Sequence, residues 1–261
     1  MTNSNIMRGQ DALDSLNASN QEDAPKNEFT RLKSGSTFTV KVPGFHVISA
    51  YVYGNFENPK INSFVAENDS KRTAKGFPVE NLTPFDKAFK YYKDQSEDWQ
   101  DEMSAKANVY KADQKFTFGF YDLDGEDDKG KPVTTPIAVE FTRNQAQVIR
   151  DAIKKNEKYL DKFAFELSKK GTGRSTVVSL TLIPMLDELT DKQRDNFDNL
   201  PEEFDSGKLE GLHYIMSDEE QIETLQNTGF DVSLIGLEVP EKRESVGSGE
   251  DGEITDDDLP F

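Results

Sequence analysis

The residues that usually carry chemistry are scarce in this 261-residue chain, which has no cysteine and only two histidines, His46 and His213. Thiolate nucleophiles, disulfides and thiolate zinc sites are therefore excluded, and a histidine-based metal centre or relay lacks members. The 49 acidic residues are too many and too scattered to single out a catalytic pair, and no nucleophile–base pairing is legible. DLDGEDDKG (122–130) has some features of a calcium loop, but Asp127 stands where the glycine is required and Val133 where the last ligand belongs. It reads as a hairpin turn. The residues point to no enzyme, no metal and no cofactor.

What remains is cations, aromatic rings and one acidic tip. KKGTGR (169–174) joins two strands and does not match the phosphate-loop pattern. As a flexible hairpin it places Lys169, Lys170 and Arg174 to clamp a nucleic-acid backbone, the alternative being an ordinary solvated turn. In FHVISAYVYG (45–54) the even positions Ile48, Ala50 and Val52 are aliphatic and suit a barrel interior. The odd positions Phe45, Tyr51 and Tyr53 are aromatic. Rings beside cations are what single-stranded nucleic acid needs, since any base can stack on them; the alternative is a strand covered on both faces. Lys33, Lys41, Lys60, Lys71, Arg72, Lys75, Lys111 and Lys115 are the further cations expected to meet phosphates. The end of the chain, ITDDDLPF, sets Asp256, Asp257 and Asp258 before Leu259, Pro260 and Phe261. One aromatic anchor with clustered negative charge suits a shallow apolar pocket with a basic rim on a partner protein.

The net charge of −18 is unevenly placed. Residues 1–185 hold 26 acids and 26 bases, whereas residues 186–261 hold 23 acids and 5 bases. Residues 29–93 carry 10 bases against 5 acids, and residues 143–174 carry 9 against 4. Basic stretches followed by an acidic end are an asymmetry with functional meaning.

The elements that must position these residues follow from periodicity. Residues 1–27 read as a flexible polar arm. TFTVKV (37–42) and FHVISAYVYG read as strands joined by a tight turn at Pro43-Gly44. A loop-rich stretch precedes a helix opened by Pro84 and running over roughly 84–105. KFTFGFYDLD (115–124) and PIAVEFT (136–142) are strands, and residues 143–160 form a helix with Ala146, Ile149, Ile153 and Leu160 on one face. KFAFELS (162–168) and STVVSLTLIP (175–184) are strands around the basic hairpin. Short acidic helices at about 190–196 and 218–227 and an apolar segment, VSLIGLEV (232–239), complete a body at 28–239. From 240 to 261 the composition predicts a disordered acidic tail. No run is apolar enough to span a membrane and no signal-peptide core is present, so a soluble protein of the cytoplasm is expected. Short strands with helices between and after them suggest a small barrel or an α+β domain.

ITDDDLPF resembles the acidic tip of bacterial single-stranded DNA-binding proteins, which ends in aspartates, an aliphatic residue, Pro and Phe. The body resembles the helix-destabilising, single-stranded DNA-binding proteins of tailed phages. The matching pieces are LKSG (32–35), FGFYDLDG (118–125), AQVIRDAI (146–153) and FELSKKGTGRSTVVSLTLIPM (165–185), where a basic K-G-x-G hairpin precedes an alternating strand ending in Pro. The resemblance covers about 32–185 and the last eight residues. It implies an OB-fold, a five-stranded Greek-key barrel, with a helical insertion at about 55–110. It also implies coating of single-stranded DNA in phage replication, recombination and repair. The tip would recruit replication and recombination proteins, and the protein would act in the host cytoplasm as a monomer or weak self-associator. The family's zinc site is not carried over, because GFPVENLTPFDKAFKYY contains no Cys or His. Its basic N-terminal self-association motif is also missing, with only Arg8 and Lys26 in the arm. The competing readings are an acidic DNA mimic that inhibits a host nucleic-acid enzyme, and an RNA-binding OB protein.

Overall fold

A computed structural model describes residues 28–55, 63–201 and 203–238. The N-terminal arm, Lys60 and the acidic tail with Asp256–Phe261 lie outside them. Among the described residues the protein is a mixed α/β structure of one eight-stranded sheet, a small two-stranded sheet and five helices. None of these helices is long and apolar enough to cross a membrane.

The organising element is a strand broken in the middle. β1 (Thr37–Lys41) and β2 (Val47–Gly54) both run antiparallel to β6 (Asp113–Asp122), with Val40 opposite Asp122, Val47 opposite Phe118 and Val52 opposite Asp113. Pro43-Gly44 is thus not the hairpin turn that the sequence suggests. It offsets one continuous path, because Pro43 has no amide for the ladder and Gly44 takes a φ of +116°. β7 (Thr135–Thr142) pairs with the other edge of β6, β8 (Ala164–Lys170) with β1, and β9 (Val177–Ile183) with β8.

The register also decides which face of β2 turns inward. Val47 and Tyr51 stand opposite Phe118 and Gln114, so the odd positions share a face with Phe116, Phe118 and Phe120. That face belongs to the main core, where Phe118, Phe120, Phe141 and Phe165 pack against Ile149 and Ile153. The expected assignment of inner and outer faces holds only in part: Val52 is buried and Phe45 exposed as expected, whereas Ile48, placed inside by its alternation, is exposed and Tyr53, placed outside, is buried. Ile149 and Ile153 lie on α3 (Arg143–Lys155), which starts at Thr142, whose amide donates to Gln145 Oε1 at 3.1 Å.

Between β2 and β6 the chain inserts β3 (Ser63–Ala66), the hairpin β4 (Lys71–Arg72) and β5 (Pro78–Glu80), and two helices, α1 (Pro84–Asp94) and α2 (Glu102–Tyr110). The sequence suggests one helix over 84–105. It is broken because Gln95 ends α1 and Asp101 caps α2, accepting from the Ser104 amide at 2.6 Å. The insertion builds a second core from Tyr53, Phe64, Phe85, Met216 and Leu225. Met216 lies on β10 (Tyr214–Met216), which pairs parallel with β3, and Leu225 on α5 (Asp218–Asn227). α4 (Asp191–Asp198) precedes an acid-bearing segment that covers the outside of β6 and β7 with Phe204, Leu209 and Leu212. Gly119 makes this possible, since a Cβ there would stand 2.3 Å from Phe204 Cζ.

Candidate nucleic-acid interface

Tyr53, expected to stack on bases, is fully buried. Its ring stacks on Phe64 with centroids 5.1 Å apart. Its hydroxyl donates to Asp86 Oδ2 at 2.8 Å, and Ser70 donates to the same oxygen at 2.6 Å. Arg72, expected to meet phosphate, instead closes this cluster, donating to both Asp86 oxygens at 3.3 and 2.7 Å and to the Tyr53 oxygen at 2.6 Å. A buried charge persists only when paired and hydrogen-bonded, and this pair is both. Burial, reinforced by the Asp86 charge, pushes the Tyr53 hydroxyl well above its ordinary pKa. The reach of Asp86 across 33 residues to Tyr53 is what the local pattern of β2 could not reveal.

The cluster nevertheless serves the surface. The Arg72 guanidinium carbon lies 4.3 Å from the centroid of the Tyr51 ring, so Asp86 holds a cation against Tyr51 and fixes its orientation. Tyr51 is half-buried and lines a cleft of about 340 Å³. Around it stand Lys75 from the β4–β5 turn, Lys111 and Lys115 at the start of β6, and Arg143 at the start of α3. Arg143 is anchored by donating to the Gln114 side chain. Gly76, with φ +85°, brings the turn backbone to the edge of the Tyr51 ring. Asp113 is the one carboxylate among the residues lining this cleft, 3.7 Å from the Lys111 ammonium. Four cations facing one acid around an aromatic ring make an anion-attracting groove with a stacking surface.

A second cleft of about 470 Å³ adjoins the first and shares Arg143. Phe45, Val47, Phe116 and Phe118 form its apolar floor, and Arg150 and Lys154 join its rim. Sequence reasoning missed Arg143, Arg150 and Lys154 as site residues. The signal was present, for their spacing of seven and four puts them on one helical face bordering the Ala146–Ile149–Ile153 stripe.

The basic hairpin forms where expected but stands apart from Tyr51. Thr37 pairs with Ser168 and Tyr51 with Gln114, so the hairpin lies by the start of the β1–β2 path and Tyr51 near its end. Lys33 joins it there, because the Gly35 amide donates to the Lys169 carbonyl at 2.8 Å and Ser34 Oγ to the Gly171 carbonyl at 2.6 Å. Gly171 is required in this turn, with φ +78° and room for a Cβ blocked by the Ser175 carbonyl at 2.3 Å. Lys170 is exposed and Arg174 sits in the short 3-10 turn Gly173–Ser175. Lys71 is exposed and paired with Glu80 at 2.8 Å.

Lys41 is another of the cations expected to meet phosphate. It is buried, its ammonium 4.3 Å from the Phe197 ring centroid and without a hydrogen-bond partner, so it cannot reach a phosphate. Burial lowers its pKa to about 8 against the opposing pull of Asp161. The histidines pack on rings, His46 against Phe204 and His213 against Phe29. Compared with known proteins, the chain matches no protein family and no curated protein.

Proposed function

We propose that the protein binds single-stranded DNA without sequence preference, with bases stacking at Tyr51 and phosphates meeting Lys75, Lys111, Lys115 and Arg143. The observation that carries this reading is the gathering of four cations around one oriented ring in an open cleft. The cations neutralise phosphates and release counterions, while the ring accepts any base, so affinity needs no base-edge readout. A DNA mimic would present carboxylates here instead.

The strand pairing supports an OB-type barrel as the body. Taken as one strand, β1–β2 pairs with β6 and β8, β6 with β7 and β8 with β9, and α3 connects β7 to β8. In such barrels the second and third strands and the connections after the first and fourth strands surround the ligand. Those connections here are the insertion, which supplies Lys75 and Lys111, and the hairpin with Lys169, Lys170 and Arg174. Asp256–Phe261 would recruit replication and recombination proteins. The stretch 244–261, with seven acids and no base, would compete for the same basic groove when DNA is absent.

The test is a titration with single-stranded DNA, duplex DNA and RNA at two salt concentrations. Four phosphate contacts predict a slope of log K against log salt of about −3 for single strands. Equal binding to duplex, or no binding at low salt, would overturn the reading; tighter binding to RNA would change the polymer.

A further inference from the structure

The second cleft has a complement elsewhere on the chain. Trp99, the chain's only tryptophan, is 71% exposed in the loop between α1 and α2. The loop is nonetheless pinned, because the Asp101 carboxylate accepts from the amides of Glu97, Asp98 and Ser104 at 2.8, 3.1 and 2.6 Å. Those backbone bonds, that from Ser104 first, lower the Asp101 pKa to about 2. Residues 94–105 hold five acids and no base; Asp94 and Glu102 are paired with Lys90 and Lys106, which leaves Glu97 and Asp98, next to Trp99 in sequence, as negative charge unpaired among the described residues and disfavouring a phosphate backbone. A pinned, exposed Trp preceded by two carboxylates is a poor stacking platform for DNA and a good anchor for a protein pocket with a cationic rim.

The cleft floored by Phe45, Val47 and Phe116 and rimmed by Arg143, Arg150 and Lys154 is such a pocket. Phe45 and Val47 are 46% and 40% exposed in the single chain. Arg150 is paired only with its neighbour Asp151 on the open surface, an interaction easily exchanged. The nine residues of α2 separate the end of the Trp99 loop from Lys111, at the first cleft, by about 13 Å along the helix axis.

We propose that the Trp99 loop of one copy seats in the Phe45–Phe116 pocket of the next. Knob and pocket are different surfaces, so the contact is head-to-tail and propagates as an open chain. Resting on the single-stranded DNA reading, it supplies the cooperative coating of a long strand that the N-terminal arm is not equipped to give. The loop is already ordered, so seating it costs less conformational entropy than capturing an unstructured peptide.

The single tryptophan makes the test direct. Full-length protein is titrated with a short oligonucleotide that holds one copy and with long poly(dT), following tryptophan emission and acrylamide quenching. Long DNA should shift emission to the blue and protect Trp99, while the short oligonucleotide should not. Trp99→Ala should weaken binding to long DNA by about tenfold or more, with short-oligonucleotide affinity unchanged, and Arg150→Glu should weaken long-DNA binding by more than it weakens short-oligonucleotide binding. Adding Glu97→Arg and Asp98→Arg to Arg150→Glu should restore part of the loss. An unshifted Trp99 on fully coated long DNA would overturn the proposal. So would a loss of short-oligonucleotide binding in Trp99→Ala, which would put the ring on DNA. Loss of cooperativity on deleting 253–261, with Trp99→Ala neutral, would assign the pocket to the tail. If even the short oligonucleotide fails to bind, the DNA reading falls. Sedimentation without DNA then decides the present proposal: concentration-dependent association with a blue-shifted Trp99 upholds it, and a monomer at all concentrations overturns it.

Discussion

Tyr51 stands between two arginines that the chain uses in opposite ways. Behind it, Arg72 is withdrawn from water and held by Asp86, Asp69 and the Tyr53 hydroxyl. In front of it, Arg143 is exposed at the first turn of α3 with only a glutamine to steady it. The first cannot leave its carboxylate without stranding a charge; the second gives up little when a phosphate arrives. A cation's role is set by what desolvates it, not by its type. Lys41 makes a third case, a buried ammonium over a ring with no hydrogen-bonding partner.

The largest effect should come from the buried side. Asp86→Ala leaves Arg72 and the Tyr53 hydroxyl without their acceptor and should cost about 3–5 kcal/mol of stability, read by urea unfolding. A loss under 1 kcal/mol would mean that the cluster is not the brace described.

Lys41→Met tests the unpartnered cation. The unfolded chain keeps its proton up to about the ordinary 10.5, whereas the folded protein releases it near 8. Between those values the unfolded state binds more protons, so stability rises with pH; below 8 the penalty is constant. Lys41→Met should therefore be more stable than the parent by about 1–3 kcal/mol at pH 7, with the gap narrowing from pH 8 to 10.5. A gap that does not vary with pH would contradict the assignment.

On the open side the effects move from folding to binding. Tyr51→Ala should weaken single-stranded DNA binding by about 1–3 kcal/mol with little change in salt slope. Arg143→Ala should leave stability within about 0.5 kcal/mol and reduce the magnitude of the salt slope by about one unit. If the two variants shifted the slope equally, ring and cation would not have separate roles.

The smallest change in folding should follow removal of residues 253–261, which takes away Glu253, Asp256, Asp257, Asp258 and Phe261. Unfolding should move by no more than about 0.5 kcal/mol. DNA affinity should stay level or rise, and any gain should fade as salt screens the competitor. Capture of replication and recombination proteins should be lost, and Phe261→Ala should reproduce that loss alone. A folded, truncated protein with weakened DNA binding would exclude competition by the tail.

Much of the architecture was legible where one pattern admits one structure. The alternation of Phe116, Phe118 and Phe120, the helical stripe of Ala146, Ile149 and Ile153, and the glycines of the basic hairpin each became the expected element. Legibility failed where a pattern admits two. In VISAYVY both faces are apolar enough to bury, and only the insertion, which pairs β3 with β2 and packs Phe64 and Phe85 there, buried Tyr53. β3, β4, β5 and β10 went unseen, since each is at most four residues long, and the parallel pairing of β10 with β3 joins segments far apart in sequence, Tyr214 standing opposite Phe64. The continuous helix over 84–105 failed for a local reason, because Asp101 caps the following residues better than it extends the preceding ones.

The sequence by itself determined the inventory: no thiols, two histidines, cations in two stretches, negative charge at the end, and strands and helices with definite periods. It also determined that Arg143, Arg150 and Lys154 share a helical face. Tertiary structure alone decided that Arg72 would brace and Arg143 would face solvent, that Lys41 would be buried, and that Lys33 and Lys169 would gather away from Tyr51. The physical reason is that desolvation and charge pairing depend on distance in space. The partners that decide them here, Asp86 for Tyr53 and Phe197 for Lys41, lie tens to more than a hundred residues away along the chain.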